Sequence, residues 1–219
     1  MAERPILFNT EMVRAILEDR KTQTRRLVKG LPLAEPWFTV EDGRPLMCDE
    51  NGEWYPAERF STVQPGDILW VRETWAKDVG RYMYRANYSD TEKFYMNGRE
   101  IRMTWHPSIH MPRDAARLFL GVEDVRMERL QDMKMSDIKA EGVVPSHVTG
   151  GQWQQWQQDF MKPVWDGTIK KTDLRRFGWN GNPWVWVYEF VRLDRRPAGL
   201  WADRDAARYA DQDVLMPAT

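Results

Sequence analysis

Apolar and polar positions alternate along this chain with two different periods, and the elements follow from where the period changes. Pro5 to Phe8 is a short apolar run that predicts a first strand. Met12, Val13, Ile16 and Leu17 fall on one helical face, so a helix is expected from about Glu11 to Asp19, capped by Asn9 or Thr10. Thr22 to Val28 has the β-branched, alternating character of a strand. The segment from Gly30 to Arg59 reads as an excursion of one or two hairpins, because Asp42-Gly43 and Asn51-Gly52 are turn dipeptides. Gln64-Pro-Gly-Asp67 is a further turn, feeding a strand from Ile68 to Val71 that is apolar enough to be buried on both faces.

Further strands are expected at Tyr82 to Ala86 and between Phe94 and Trp105, followed by a structured loop from Trp105 to Arg113. Arg117 to Leu130 alternates like a half-exposed strand. Ser136 is the expected cap of a short helix, Asp137 to Glu141, closed by Gly142. Gly151 to Trp165 places Trp153, Trp156, Phe160 and Val164 at helical spacing, and Trp184 to Val191 reads as a central aromatic strand. One strand, one helix, then many strands with inserted helices imply an α+β fold built on a small mixed β-barrel with flanking helices and inserted hairpins. It is expected to occupy residues 1–195 as a single domain, with insertions at about 30–62 and 146–180 and a charged tail over 196–219.

Composition narrows the partners. Basic and acidic residues number 32 and 33, so no global field draws the chain to nucleic acid, and any such contact must come from a local patch. Cys48 is the single cysteine, which excludes an intrachain disulfide and favours a reducing, cytoplasmic setting. No apolar stretch approaches membrane length, so no membrane partner is expected. Twelve tryptophans are more than a core of this size needs, which points to aromatic side chains lining a groove or pocket.

The densest chemistry lies between Glu18 and Arg26, where four cations and two threonine hydroxyls share nine residues. Lys21, crowded by Arg20, Arg25 and Arg26, has its charged form disfavoured, as a general base requires. Thr24 lies three residues on, and its hydroxyl becomes a nucleophile only if a base takes its proton. A carboxylate must hold that lysine, and Glu73 and Glu141 are both candidates on spacing alone. His106 and His110 are four apart, but Pro107 between them argues against a helix that would aim both at one ion, and His147 stands apart. The phosphate-cradling, dinucleotide and serine-elbow motifs are missing, so neither metal nor cofactor is expected.

Asp-Arg-Lys-Thr-Gln-Thr-Arg-Arg after a short helix, Pro-Gly-Asp-Ile-Leu-Trp-Val before a strand, Lys-Ala-Glu-Gly at a helix end and a closing Val-Tyr-Glu-Phe strand together resemble the ASCH domain of the PUA-like superfamily. The opening Ile-Leu-Phe-Asn-Thr-Glu-Met-Val-Arg-Ala-Ile-Leu and the central His-Met-Pro-Arg are similar to ASCH-like proteins of tailed phages and prophages. The basic stretch also resembles that of small bacterial amidohydrolases that deacetylate N4-acetylcytidine. This chain is about twice their length and carries Trp-rich insertions they lack. The resemblance implies Thr24 as nucleophile, Lys21 as base and Glu141 as the group that orients Lys21 and relays its proton. Other members are thought to bind RNA or modified bases. That second reading, a non-catalytic reader, assigns Arg25, Arg26 and Arg113 to phosphates, Trp75 and Trp105 to base stacking, and Glu73 to a base amine.

Overall fold

The structure is a computed structural model that describes residues 1–33, 36–78, 80–96, 99–143 and 161–194. The chain opens with strand β1 (Glu3–Leu7), helix α1 (Thr10–Leu17) and strand β2 (Gln23–Leu27). Asn9 caps α1 by accepting a 2.8 Å hydrogen bond from Met12 N, and Val13, Ala15 and Ile16 form its buried face. The helix is stopped by a left-handed Asp19 (φ 53°), after which Arg20 N and Lys21 N both donate to Ala15 O, at 2.8 and 3.0 Å. The basic stretch thus turns sharply off the helix end into β2.

Strands β3 (Phe38–Glu41), β4 (Arg44–Cys48) and β5 (Trp54–Pro56) form an antiparallel meander, with Gly43 and Gly52 at positive φ in the two expected turns. Next come β6 (Ile68–Arg72), the hairpin β7 (Trp75–Asp78) with β8 (Arg81–Tyr84), and the hairpin β9 (Phe94–Met96) with β10 (Arg99–Ile101). Strand β11 (Phe119–Arg129), helices α2 (Met135–Ala140), α3 (Lys162–Asp166) and α4 (Leu174–Phe177), and strand β12 (Trp184–Leu193) complete the described chain.

Five of these strands make the main sheet, in the order β1-β6-β11-β12-β2, with β1 and β6 parallel and the remaining neighbours antiparallel. Strand β12 is paired on both sides and buried on both faces. Trp186, Tyr188 and Phe190 point into the larger core with Ile6, Phe8, Val13 and Ile16, while Val185 and Val187 point into a second core with Leu130, Ile138, Trp165 and Trp179. This is why Trp184 to Val191 reads as a nearly continuous apolar run: each face of the strand has its own core to fill.

The result is a mixed α+β architecture dominated by strands. Among the described residues β1 and β2 are not hydrogen-bonded to each other as strands, so the sheet order is open. One side chain spans the gap: Arg26 on β2 donates through Nη2 to Leu7 O at the end of β1, 2.9 Å away.

Several expectations shift by a few residues for local reasons. Ser136 does not cap α2; Asp137 does so by accepting a 2.6 Å bond from Lys134 N, which starts the helix at Met135. The strand expected from Tyr82 to Ala86 ends at Tyr84 and passes into a 3₁₀ turn over Arg85–Asn87. Trp153, Trp156 and Phe160, with most of the helix expected from Gly151, lie outside the described residues, as does the tail over 196–219. Among the described residues no helix is long and apolar enough to cross a membrane.

Candidate active site

The backbone brings Lys21 and Glu141 together before any side chain is considered. The end of α2 runs antiparallel to the entry of β2, with Lys21 and Glu141 as bridge partners and Thr22 N bonded to Ala140 O at 2.8 Å. Gly142 makes the approach possible. Its φ of +80° turns the chain, and a Cβ there would sit 2.7 Å from Ala15 Cβ and 3.0 Å from Lys21 Cβ. Arg20 Nη1 then donates to Gly142 O at 2.7 Å and holds the turn against the basic stretch.

On that frame, Lys21 Nζ lies 2.5 Å from Glu141 Oε2, and both side chains are almost completely removed from solvent. The other two ammonium hydrogens have acceptors in Gln23 O (2.7 Å) and Glu141 O (3.1 Å). Arg25 Nη1 donates to Glu141 Oε1 at 3.1 Å, so each carboxylate oxygen has its own cation. Burial pushes Lys21 below the ordinary lysine value, with Arg26 and Arg25 adding to the depression and Glu141 opposing it. Burial alone would raise the Glu141 carboxyl, but Lys21 and Arg25 outweigh it and hold it below the usual carboxylate range.

Thr24 is buried on β2, and its Oγ1 accepts a 2.9 Å hydrogen bond from Arg26 Nη1. No hydrogen bond joins Thr24 Oγ1 to Lys21 among the described residues. The hydroxyl is set against a guanidinium, and the lysine is set against a carboxylate. Arg26 is itself fixed by Arg25 O and Leu7 O, and both it and Lys21 lie over the ring of Phe8, at 5.1 and 5.6 Å from its centroid.

Thr24, Arg26 and Glu141 are on the lining of a cavity of about 590 Å³, a size that accommodates a drug-sized ligand. Asn9, Thr74 and Ser108 contribute polar groups to its lining, and Met161, Val164, Trp165 and Ile169 give it an apolar wall. Comparison with protein-family models, characterised proteins and solved structures finds no match to this chain.

The other residues singled out from the sequence are distributed differently. Arg25 is 4% exposed and its guanidinium engages Glu128, Asp137 and Glu141. Glu73 is 1% exposed with both oxygens on Arg117, at 2.8 and 3.0 Å, so it does not face a base edge. Arg113 pairs with Glu3 and lies over the ring of Phe119. Trp75 packs edge-on to Tyr82 and against His106. Trp105 packs against Tyr88 and Phe94 and lines a separate cavity with Arg85.

Sequence reasoning named Arg26 and Arg25 but not the partners they have in the fold, and did not single out the apolar part of the lining. Arg26 donates to a threonine two residues away, and its closeness to Thr24 was the available signal. Arg25 holds Glu141, 116 residues distant, and no spacing announces that. The apolar wall comes from residues 161–169, whose pattern reads as ordinary core.

Proposed function

We propose that the chain is an ASCH-type, PUA-like hydrolase acting on a modified nucleoside or nucleobase amide of the N4-acylcytidine kind. The observation that carries this reading is the buried Lys21–Glu141 pair, 2.5 Å apart, with Glu141 and the buried Thr24 both on the lining of a ligand-sized cavity. A buried lysine whose charged form is disfavoured, paired with a carboxylate, is how proton-transfer groups are tuned.

In the proposed reaction Thr24 Oγ attacks the amide carbonyl and passes its proton to neutral Lys21. The carbon–nitrogen bond then breaks, and Lys21 returns the proton to the departing amine. Water next cleaves the threonine ester, giving the free acid and restoring Thr24. Glu141 takes up or returns the lysine proton as needed and keeps Nζ in place. Arg26, whose Nη1 already touches Thr24 Oγ1, stabilises the negative charge that develops there.

A PUA-like barrel is the fold that accompanies this reading. It is supported by the mixed sheet and by Arg26 linking β2 to the end of β1 across the open side. The alternative, a reader of RNA or modified nucleic acid, is weakened by the engagement of Arg25 and Arg113 with internal carboxylates. Arg26 and Lys29 are the cations that line the cavity apart from Arg25.

The test is hydrolysis of N4-acetylcytidine and related N4-acyl cytosines by wild type, Thr24→Ala and Lys21→Ala. Release of the free base or nucleoside by wild type alone is the expected result. Equal activity in all three, or none in wild type, overturns the assignment.

A further inference from the structure

The cavity lined by Thr24 mixes polar and apolar residues, and four of the apolar ones come from one short segment. Residues 161–169 place Met161, Val164, Trp165 and Ile169 on the lining. Polar atoms of this segment have partners within the fold. Trp165 Nε1 donates to Phe177 O at 2.8 Å, and Thr168 Oγ1 donates to Trp165 O at 2.7 Å. Asp166 is used structurally, its Oδ1 accepting from Trp179 N at 2.7 Å. Val164, by contrast, is 38% exposed and has no core of its own to fill. Leu27 and Leu130 extend the wall toward β2.

An amide held at Thr24 has two substituents to accommodate. The nitrogen side of a cytosine-type substrate is a heterocycle whose edge needs hydrogen-bond partners, and Asn9, Thr74 and Ser108 lie on the lining to supply them. The carbonyl side needs no polar partner beyond the oxyanion. A two-carbon acetyl group would leave the wall facing water, and unfilled apolar surface contributes nothing to binding.

We infer that residues 161–169 form an acyl-binding subsite, and that the substrate is an N-acylated cytosine-type amide whose acyl group is larger and more apolar than acetyl. This rests on the reading of Thr24 as nucleophile and specifies the substrate of that site. The expected chemistry is unchanged: the acyl group is transferred to Thr24 Oγ and released by water as a free apolar carboxylic acid.

The experiment uses N4-acetyl, N4-butanoyl, N4-hexanoyl and N4-benzoyl cytosine with the full-length protein. For wild type, kcat/KM rises by about fourfold for each methylene that enters the subsite. In Val164→Asp, at a partly exposed position, the ratio of hexanoyl to acetyl kcat/KM falls to about one. Affinity of Thr24→Ala for the same four compounds, measured by calorimetry, reads the wall without catalysis and tightens along the series. Turnover of all four at equal kcat/KM, with equal affinities, overturns the subsite and leaves the hydrolase reading intact. Absence of turnover with affinity that still tightens along the series, and does so less in Val164→Asp, overturns the hydrolase reading and leaves the subsite standing. Absence of both turnover and any chain-length dependence overturns the two together.

Discussion

Lys21 and Glu141 are separated by 120 positions in the chain, yet their side chains meet at 2.5 Å in a site that excludes solvent. The pair is not symmetric. Glu141 has a second cation in Arg25, whereas the Lys21 ammonium has Glu141 as its anion and two backbone carbonyls as its further acceptors.

That asymmetry ranks two substitutions. Glu141→Gln leaves Lys21 without its buried counter-charge, while Arg25 keeps Glu128 and Asp137, and should cost about 3–5 kcal/mol. Lys21→Met keeps volume and leaves Glu141 paired with Arg25, so a smaller loss of about 1–3 kcal/mol is expected. Urea denaturation of the two variants checks the ranking, and an equal or greater loss in Lys21→Met would refute it.

Acid should act on the same groups. Glu141 and Asp67 both have folded-state values below their ordinary 4.5 and 3.8. Burial opposes the Asp67 shift, and hydrogen bonds from Ala2 N and Gln64 N with the Arg4 guanidinium outweigh it. Between the folded and unfolded values the unfolded chain binds more protons. Stability is therefore fully present above about pH 4.5 and is lost as pH falls through the folded values. Glu141→Gln and Asp67→Asn should each flatten that decline when melting is followed from pH 6 to pH 2.

The lysine gives the opposite end of the profile. Its folded value lies below the ordinary 10.5, so between the two the unfolded chain again holds the extra proton, and stability rises with pH through that window. If neutral Lys21 is the base, kcat/KM rises with pH and levels off below the range of an ordinary lysine. Lys21→Arg, which cannot lose its proton at these pH values, should abolish turnover at every pH while the protein remains folded. A Lys21→Arg variant with the wild-type pH profile would exclude Lys21 as base.

Gly142→Ala tests the approach of α2 to the basic stretch. The left-handed φ costs a residue with a side chain about 1–2 kcal/mol, and overpacking against Ala15 and Lys21 adds about 1–3 kcal/mol. The prediction is a lowered melting temperature together with reduced kcat, because Glu141 is the preceding residue. Unaltered kcat in a folded variant would mean that the Lys21–Glu141 geometry does not matter to turnover.

Glu73 supplies a contrast. With both oxygens on Arg117, whose Nη1 also reaches Asn87 Oδ1, it is a structural anchor. Glu73→Gln should destabilise by about 3 kcal/mol and leave KM for an N4-acyl cytosine within about twofold of wild type. A large KM effect without destabilisation would restore Glu73 to the base-recognition role that its position after an apolar strand invites.

The local elements were legible because their causes are local. The helix face of Val13 and Ile16, the Asp42-Gly43 and Asn51-Gly52 turns, the Pro-Gly-Asp67 turn and the two-sided aromatic strand at Trp184 each depend on residues a few positions apart. So did the candidacy of Lys21 and Thr24, a lysine among arginines beside a hydroxyl. The choice between Glu73 and Glu141 as partner of Lys21 was not legible in spacing, which carries no information across a hundred residues of sheet; only the resemblance pointed to Glu141. Tertiary structure decided it by pairing the end of α2 with the entry of β2, which puts Glu141 on Lys21 and leaves Glu73 on Arg117. The same packing turned Arg25 inward to Glu128 and Glu141, aimed Arg26 at Thr24, and set residues 161–169 along the cavity. Period and turn chemistry specify which way a side chain points within its own element; only the assembled sheet specifies what it meets.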